Sequence, residues 1–179
     1  MIYLFLANGF EEVEALAPLD ILRRAGQEIV TVGVSGRTIT GSHGIPVVCD
    51  RTAEEIAGRL PDVVILPGGM PGTKNLGASS IVCNTVRSVF ERGGLVCAIC
   101  AAPSVLGSLG VLQDRKATCF PGFEQALLGA DVSADSVVRD DNVITAKGAG
   151  VALEFGFAIT AALCGEQKAT SLRESMQCK

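Results

Sequence analysis

Two cysteines lie three residues apart in the small, apolar stretch GLVCAICAAPSVLG, from Gly94 to Gly107. A Cys-x-x-Cys pair can form a redox couple or hold a metal ion, whereas a single activated cysteine acts as a nucleophile. Because side chains alternate between the faces of a strand, we expect Cys97 and Cys100 to point to opposite sides of a sheet. Their sulfurs would then not converge on a disulfide or a metal ion. We therefore expect one working cysteine and no metal site, the alternatives being a redox or metal pair or two ordinary core cysteines.

Cys100 follows the apolar run Leu95–Ile99 and precedes Ala101, Ala102 and Pro103. This order predicts a strand, a tight turn and a helix, because proline is favoured in the first turn of a helix. The Cys100 sulfur would lie at the N-terminal end of that helix, where free N–H groups and the helix dipole favour a thiolate. The pattern is typical of a nucleophile elbow.

The segment NGFEEVEALAPLD, from Asn8 to Asp20, supplies candidate acids at the end of the first predicted strand. Pro18 has no N–H to donate to the carbonyl of Glu14, which predicts a kinked helix with irregular backbone there. We expect the Glu14 carboxyl to face Cys100 and to keep its proton through burial and the nearby thiolate. It would then donate a hydrogen bond to the sulfur or carry a proton. Taken alone, the three glutamates of this segment read as solvated capping charges: Glu11, Glu12 and Glu14.

A third candidate segment is LPGGMPG, in which Gly68 and Gly69 permit a close approach of the backbone to a ligand. Their N–H groups, with that of Ala101, would form an oxyanion hole for a tetrahedral adduct. A Pro-Gly-Gly sequence is also common in plain turns. The segment therefore supports a site only in combination with Cys100 and Glu14.

The chain has one histidine, His43, in a predicted hairpin turn. A cysteine hydrolase needs a base beside its nucleophile, and nothing in the sequence brings this turn to Cys100 of the same chain. We interpret His43 as an exposed turn residue, the alternative being a minor role in substrate binding.

Short apolar runs alternate with helical patterns along the chain, which predicts a mostly parallel sheet covered by helices on both faces. We expect one doubly wound α/β domain over residues 1–179, with its ligand site beyond the carboxyl ends of the strands. The predicted strands are 2–7, 28–34, 37–40, 45–48, 62–66, 95–99, 116–119, 136–138 and 143–146. The predicted helices are 11–25, a short one opened by a Thr52–Glu55 capping box, 75–91, 101–109, 122–128, 151–163 and 166–176.

Composition restricts the partners and the compartment. A net charge of −4 gives no electrostatic reason to expect binding to nucleic acid or to an anionic membrane. The apolar start MIYLFLA lacks a basic flank, and no apolar run is long enough to span a bilayer, so we expect a cytoplasmic protein. The seven cysteines are odd in number and scattered, which favours reduced thiols that act mostly as small core residues.

The whole chain resembles the ThiJ/PfpI superfamily, and most closely its branch that includes the human parkinsonism-linked protein and bacterial relatives. The motifs that carry the resemblance are GFEEVEA…DILRRAG, DVVILPGG, AICAAP and ITAKGAG…EFGFAI. The resemblance implies a flavodoxin-like fold and a homodimer. It also implies an oxidation-prone cysteine at Cys100, a protonated partner at Glu14, and backbone donors at Gly69 and Ala101.

The sequence departs from this family at two positions. The family's third site residue, often a histidine before a proline, falls here on Phe120, which removes any Cys-His dyad. Many relatives carry arginine where this chain has His43, a position that approaches the partner's site in dimers.

Two functions fit these residues. The first is a cofactor-independent enzyme of glyoxalase or deglycase type, in which Cys100 adds to small reactive carbonyls such as methylglyoxal or to glycated protein or nucleotide. The second is a redox sensor or stress chaperone without catalysis, in which Cys100 is oxidised in oxidative stress. A role in thiazole biosynthesis ranks lower because no phosphate-binding loop is present, and peptidase activity ranks lowest because no base is in place.

Overall fold

A seven-stranded sheet forms the centre of the computed structural model, which describes residues 1–178. Its strands are β1 (Ile2–Leu6), β2 (Ile29–Gly33), β5 (Arg51–Thr52), β6 (Val63–Leu66), β7 (Leu95–Ile99), β10 (Val137–Asp140) and β11 (Val143–Ala146). Their spatial order is β10-β11-β7-β6-β1-β2-β5, in which only β10 runs antiparallel to its neighbour. Two small sheets pair β3 (Thr38–Thr40) with β4 (Pro46–Val48) and β8 (Lys116–Ala117) with β9 (Asp131–Val132). The predicted flavodoxin-like α/β architecture is confirmed.

Helices cover both faces of the large sheet and bury it. Alternate side chains of the central strands separate into two cores, which is why the strands read as continuous apolar runs. The helices are α1 (Glu12–Arg24), α2 (Gly72–Ala78), α3 (Ser80–Glu91), α4 (Pro103–Ser108), α5 (Ala152–Cys164) and α6 (Glu166–Ser175), the last packed on α5. One core packs under α2, α3 and α4, and the other packs under α1 and α5.

Three predicted helices differ from those observed, and the one predicted over 122–128 is only a 3-10 turn, Glu124–Ala126. The helix predicted over 75–91 is two helices, because Ser79 is extended and caps α3 by accepting a hydrogen bond from the N–H of Val82 at 3.4 Å. The helix predicted from Ala101 begins only at Pro103. In contrast, α1 continues without interruption through Pro18, so the irregular backbone expected at Glu14 is absent.

Local signals in the sequence account for other parts of the fold. The Thr52–Glu55 capping box is present, with the N–H of Thr52 donating to Glu55 at 2.8 Å and that of Glu55 donating to Thr52 at 3.4 Å. It opens a single 3-10 turn, Glu54–Ile56. The two-residue strands β5 and β9 are too short to give a periodic pattern and were not predicted. Over residues 1–178, no helix combines the length and apolar character needed to cross a membrane.

The topology brings distant segments to one edge of the sheet. Because β1, β6, β7 and β11 run parallel, the loops that follow them all leave from their carboxyl ends. These loops carry Gly68, Cys100 and Gly148, and the loop after β1 leads into the first turns of α1, which carry Glu14.

Candidate active site

Cys100 occupies a strained turn directly after β7. Its φ of +66° lies in the left-handed region, which costs a residue with a side chain about 1–3 kcal/mol and is found where function requires it. Two hydrogen bonds hold this backbone: the Cys100 N–H donates to the carbonyl of Ala146 at 2.8 Å, and its carbonyl accepts from the N–H of Phe120 at 2.9 Å. The predicted tight turn is present, and neighbouring strands fix its conformation.

The left-handed turn also places the Cys100 side chain on a face that the sequence did not predict. Cys97 is fully buried in the core under α1 and α5, and Cys100 packs against that same core. The expectation of opposite faces is therefore wrong. Strand alternation ends at Ile99, and the positive φ of Cys100 turns its side chain back. Both thiols are nevertheless free, so no disulfide joins them.

Glu14 lies in the first turns of α1 with its carboxyl buried beside Cys100. The residue is only 1% exposed, and its Oε2 accepts a hydrogen bond from the N–H of Gly68 at 2.9 Å. The side chain of Cys100 and the N–H of Ala149 also lower the pKa of Glu14 as nearby hydrogen-bonding groups. Glu14 thus joins the loops that follow β6, β7 and β11.

Gly68 and Gly69 allow this close packing. A methyl group at Gly68 would lie 2.6 Å from the Cβ of Cys100 and 2.6 Å from the Oε2 of Glu14. Gly69 has a φ of +87°, and its N–H, with that of Ala101, lowers the pKa of the Cys100 thiol as a nearby donor. Of the three predicted donors, Gly68 differs, because its N–H donates to Glu14 instead.

The Glu14 carboxyl and the Cys100 thiol titrate as a coupled pair. Burial, opposed by hydrogen bonds from Cys100 and Gly68, raises the pKa of Glu14 to about 7. Burial, together with the charge of Glu14, raises the pKa of Cys100 to about 12, although the N–H groups of Gly69 and Ala101 lower it. This direction is opposite to the one expected from the helix N-terminus, because the expectation included neither the burial of the thiol nor the charge of Glu14 beside it.

Coupling gives the pair one shared proton over a wide pH range. The first proton leaves the pair near pH 7 and the second near pH 12. Between these values a Glu14 carboxylate beside a thiol exchanges with a Glu14 carboxylic acid beside a thiolate. In the second form, the acid donates its hydrogen bond to the sulfur, and the nucleophile is ready.

The ring of Phe120 lies on the Glu14 side of this site. A methyl group at Gly148 would come within 3.2 Å of the ring and within 3.7 Å of the Oε1 of Glu14. The Phe120 side chain offers no proton acceptor, and the residue is 47% exposed. The site therefore has an apolar wall where a basic residue would complete a dyad with Cys100.

His43 contacts other residues than Cys100. Its ring Nδ1 lies 2.9 Å from the Oε2 of Glu12, 3.3 Å from the Oε2 of Glu11 and 3.2 Å from the Oγ of Ser42. The hydrogen bond that the His43 ring donates to Glu12 raises the pKa of His43, whose side chain is 70% exposed. The interpretation of His43 as an exposed turn residue agrees with this position.

Glu12 is buried, contrary to the expectation of a solvated charge. Burial opposes its ionisation, but hydrogen bonds from the His43 ring and from the N–H groups of His43 and Ile45 lower the pKa of Glu12 to about 2. In the described part of the chain, the side chains of Glu11, Glu12 and His43 are close enough together to share a metal ion. The ion pair already accounts for their positions, and we assign no metal site.

Two contributors to the site were missed from the sequence. The Gly148–Ala149 segment supplies an N–H to Glu14 and the space for the Phe120 ring. The signal was available, because this segment directly follows a strand that neighbours β7. The buried role of Glu12 had no such signal, since it depends on the hairpin loop folding back over α1.

Comparisons with known proteins agree with this architecture. The chain is 36% identical over 174 residues to protein dj-1beta of Drosophila melanogaster, covering 96% of this chain and 93% of that protein. It is 33% identical over 164 residues to a Caenorhabditis elegans protein named glutathione-independent glyoxalase DJR-1.2, covering 90% of this chain and 87% of the relative. The structure matches oxidized DJ-1 of Toxoplasma gondii with a TM-score of 0.95 and 28% identity, covering 98% and 97% of the two chains.

The model of the DJ-1/PfpI family matches residues 1–162. This match confirms the resemblance seen in the sequence motifs. The chain belongs to the DJ-1/PfpI family.

Proposed function

We propose that this protein is a cysteine-dependent enzyme that acts on small reactive carbonyl compounds. The observation that carries the proposal is the strained Cys100 turn packed beside the buried Glu14 carboxyl at Gly68, where the N–H groups of Gly69 and Ala101 lower the pKa of the thiol. A nucleophile, a proton carrier and two oxyanion donors are thus assembled at one strained turn. The relative named as a glyoxalase supports carbonyls as the substrate class.

The proposed reaction begins with addition of the thiolate to an aldehyde. A bond forms between the sulfur and the aldehyde carbon, and the Glu14 acid gives its proton to the resulting alkoxide, which yields a hemithioacetal. The N–H groups of Gly69 and Ala101 stabilise the negative oxygen while it develops. Glu14 is left as a carboxylate beside the adduct.

The same carboxylate completes an internal redox rearrangement of a 2-oxoaldehyde such as methylglyoxal. Glu14 removes the proton from the former aldehyde carbon and returns it to the neighbouring keto carbon, and the hydroxyl proton of the hemithioacetal moves to the former keto oxygen. The first carbon is thereby oxidised and the second reduced. The product is a thioester of a 2-hydroxy acid, and no external oxidant is required. Water then attacks the thioester, the carbon–sulfur bond breaks, and lactate leaves. Glycated protein or nucleotide adducts are proposed as further substrates by the same addition step.

Turnover of methylglyoxal to lactate tests the proposal. We expect Cys100→Ala to lower kcat/KM at least a hundredfold, since nothing else in this mechanism forms the covalent adduct. Cys83→Ala is the matched control, because that half-buried thiol only donates to the carbonyl of Gly77. Equal turnover by Cys100→Ala and the wild type would refute the mechanism.

A second candidate function is a redox sensor or stress chaperone. The donors of Gly69 and Ala101 and the Glu14 acid would also stabilise sulfenate or sulfinate oxygens on Cys100. Similarity to a structure of oxidized DJ-1 from Toxoplasma gondii favours this candidate. Mass spectrometry after mild peroxide treatment should find added oxygen on Cys100 before the other six cysteines. An even distribution would contradict it.

Other activities receive less support. Peptidase activity would need a base beside Cys100, and the single histidine of the chain contacts Glu12 instead. A role in thiazole biosynthesis has no support from the site residues.

We further propose that the chain is a single domain, cytoplasmic, and assembles as a homodimer. Exposed apolar side chains on α1 and on the β3–β4 hairpin support the dimer: Val13, Ile45 and Val48. A light-scattering mass equal to that of one chain would contradict it.

A further inference from the structure

We propose that Phe120 determines the specificity of Cys100 by forming an apolar wall that selects electrophiles with an uncharged, apolar substituent. Applied to the proposed function, on which this extension rests, the preferred substrates are 2-oxoaldehydes that carry an aromatic or alkyl group. Hydrophilic and anionic carbonyls are disfavoured.

The position of the ring is fixed from two sides. The N–H of Phe120 donates to the carbonyl of Cys100 at 2.9 Å, so the chain at Phe120 is tied directly to the nucleophile. The ring itself packs against Gly148, where an added Cβ would lie 3.2 Å from the ring. Because the Oε1 of Glu14 lies 3.7 Å from the same point, the ring and the carboxyl share one side of the site.

The exposure of the ring leaves a surface for a ligand. Phe120 is 47% exposed, whereas the other six phenylalanines lie in or against a hydrophobic core. A half-exposed aromatic ring beside a nucleophile gains free energy when an apolar group covers it. A substituent attached to a carbonyl carbon on Cys100 would extend toward this wall.

The charge around the site also disfavours anionic substrates. Glu11, Glu12 and Glu14 place carboxyl groups at the start of α1. Among the described residues, Lys147, which directly precedes Gly148, donates to the carbonyl of Ala134, and His43 contacts Glu12. An anionic substituent would meet negative charge without a compensating partner.

A ratio of two electrophiles measures the wall independently of turnover. We would measure alkylation of Cys100 by N-phenylmaleimide and by N-methylmaleimide, dividing their rate ratio by the same ratio for a small free thiol. The ratio cancels any change in the reactivity of the sulfur itself. We expect a normalised ratio above one in the wild type and a three- to tenfold fall in Phe120→Ala, about the range for one aromatic contact. Phe120→Leu should lie between them.

Leu128→Ala is the control, since Leu128 is a loop residue that is 60% exposed. It should leave the ratio unchanged. A ratio equal in wild type and Phe120→Ala would overturn the proposal.

The same variants extend the test to substrates. We expect the kcat/KM ratio of phenylglyoxal to glyoxal to fall three- to tenfold in Phe120→Ala, and glyoxylate to be the poorest substrate of the three. Turnover with an unchanged substrate ratio would overturn the role of Phe120 while leaving the proposed function intact. A changed maleimide ratio with no turnover of any carbonyl would support the wall and refute the proposed function.

Discussion

The carboxyl of Glu14 and the side chain of Cys100 pack together next to Gly68, although Glu14 lies in α1 and Cys100 follows β7. The contact arises because α1 begins where β1 ends and Cys100 begins where β7 ends. Both places lie at the same edge of a parallel sheet. The chemistry proposed for this protein depends on that shared proton.

The close packing at Gly68 should not tolerate a side chain. Gly68→Ala would place a methyl group 2.6 Å from the Cβ of Cys100 and from the Oε2 of Glu14. We expect a loss of about 1–3 kcal/mol in the free energy of unfolding and a loss of turnover. Gly77→Ala is the control. Gly77 lies in α2, and its added methyl group would be 3.4 Å from the side chain of Val105, so this substitution should be neutral or stabilising. Urea denaturation of both variants measures the difference, and equal stability would contradict the geometry.

Burial of Glu14 should make the protein less stable as the pH rises. The pKa of Glu14 rises from 4.5 to about 7 on folding, so between these values the folded chain holds a proton that the unfolded chain has lost. Stability therefore falls with increasing pH across this window, by about 3 kcal/mol in total. Glu14→Gln should not show this fall. Denaturation of both proteins at pH 5 and pH 8 tests it, and the same pH dependence in both would exclude a buried acid.

Glu12 should stabilise the folded chain by accepting hydrogen bonds from the N–H groups of His43 and Ile45. Glu12→Ala would leave the N–H groups of His43 and Ile45 without their acceptor, which we expect to cost about 1–3 kcal/mol at neutral pH. Glu12→Gln keeps an acceptor oxygen and should cost less. Because the pKa of Glu12 is lowered to about 2, its contribution is present above pH 4.5 and is lost as the pH falls toward 2. An undiminished gap between wild type and Glu12→Ala at pH 2 would contradict this assignment.

His43 should show the opposite pH dependence. Its pKa is raised above 6.5 by Glu12, so its contribution is complete below pH 6.5 and is lost as the pH rises through the raised value. We expect His43→Ala to be destabilised relative to the wild type at pH 5.5 and to match it more closely at pH 9. Turnover should change little, since His43 does not contact Cys100. A large loss of turnover at unchanged stability would show that His43 belongs to the site.

The fold was predictable from the sequence because buried parallel strands leave a strong signal. Continuous apolar runs such as Val63–Leu66 and Leu95–Ile99 coincide with observed strands. The meeting of Glu14, Gly68 and Cys100 followed from the rule that parallel strands end at one edge. The predicted and observed element boundaries agreed less well where a single residue ends a helix, as Ser79 does between α2 and α3.

The electrostatics and orientation of the site were not predictable in the same way. The side on which Cys100 lies depends on a left-handed φ that strand alternation cannot represent. The raised pKa of Cys100 depends on burial and on the charge of Glu14. The burial of Glu12 depends on a hairpin loop distant in sequence. Each of these properties belongs to tertiary contacts rather than to local pattern.

The pH dependence of Cys100 alkylation tests the shared proton most directly. A coupled pair predicts a rate that rises to about pH 7 and then stays nearly constant, because one proton remains shared until the pKa of about 12 is approached. Glu14→Gln should lose the break near pH 7 and show one thiol ionisation at higher pH. A wild-type rate that continues to rise tenfold per pH unit through pH 9, as in Glu14→Gln, would contradict the account.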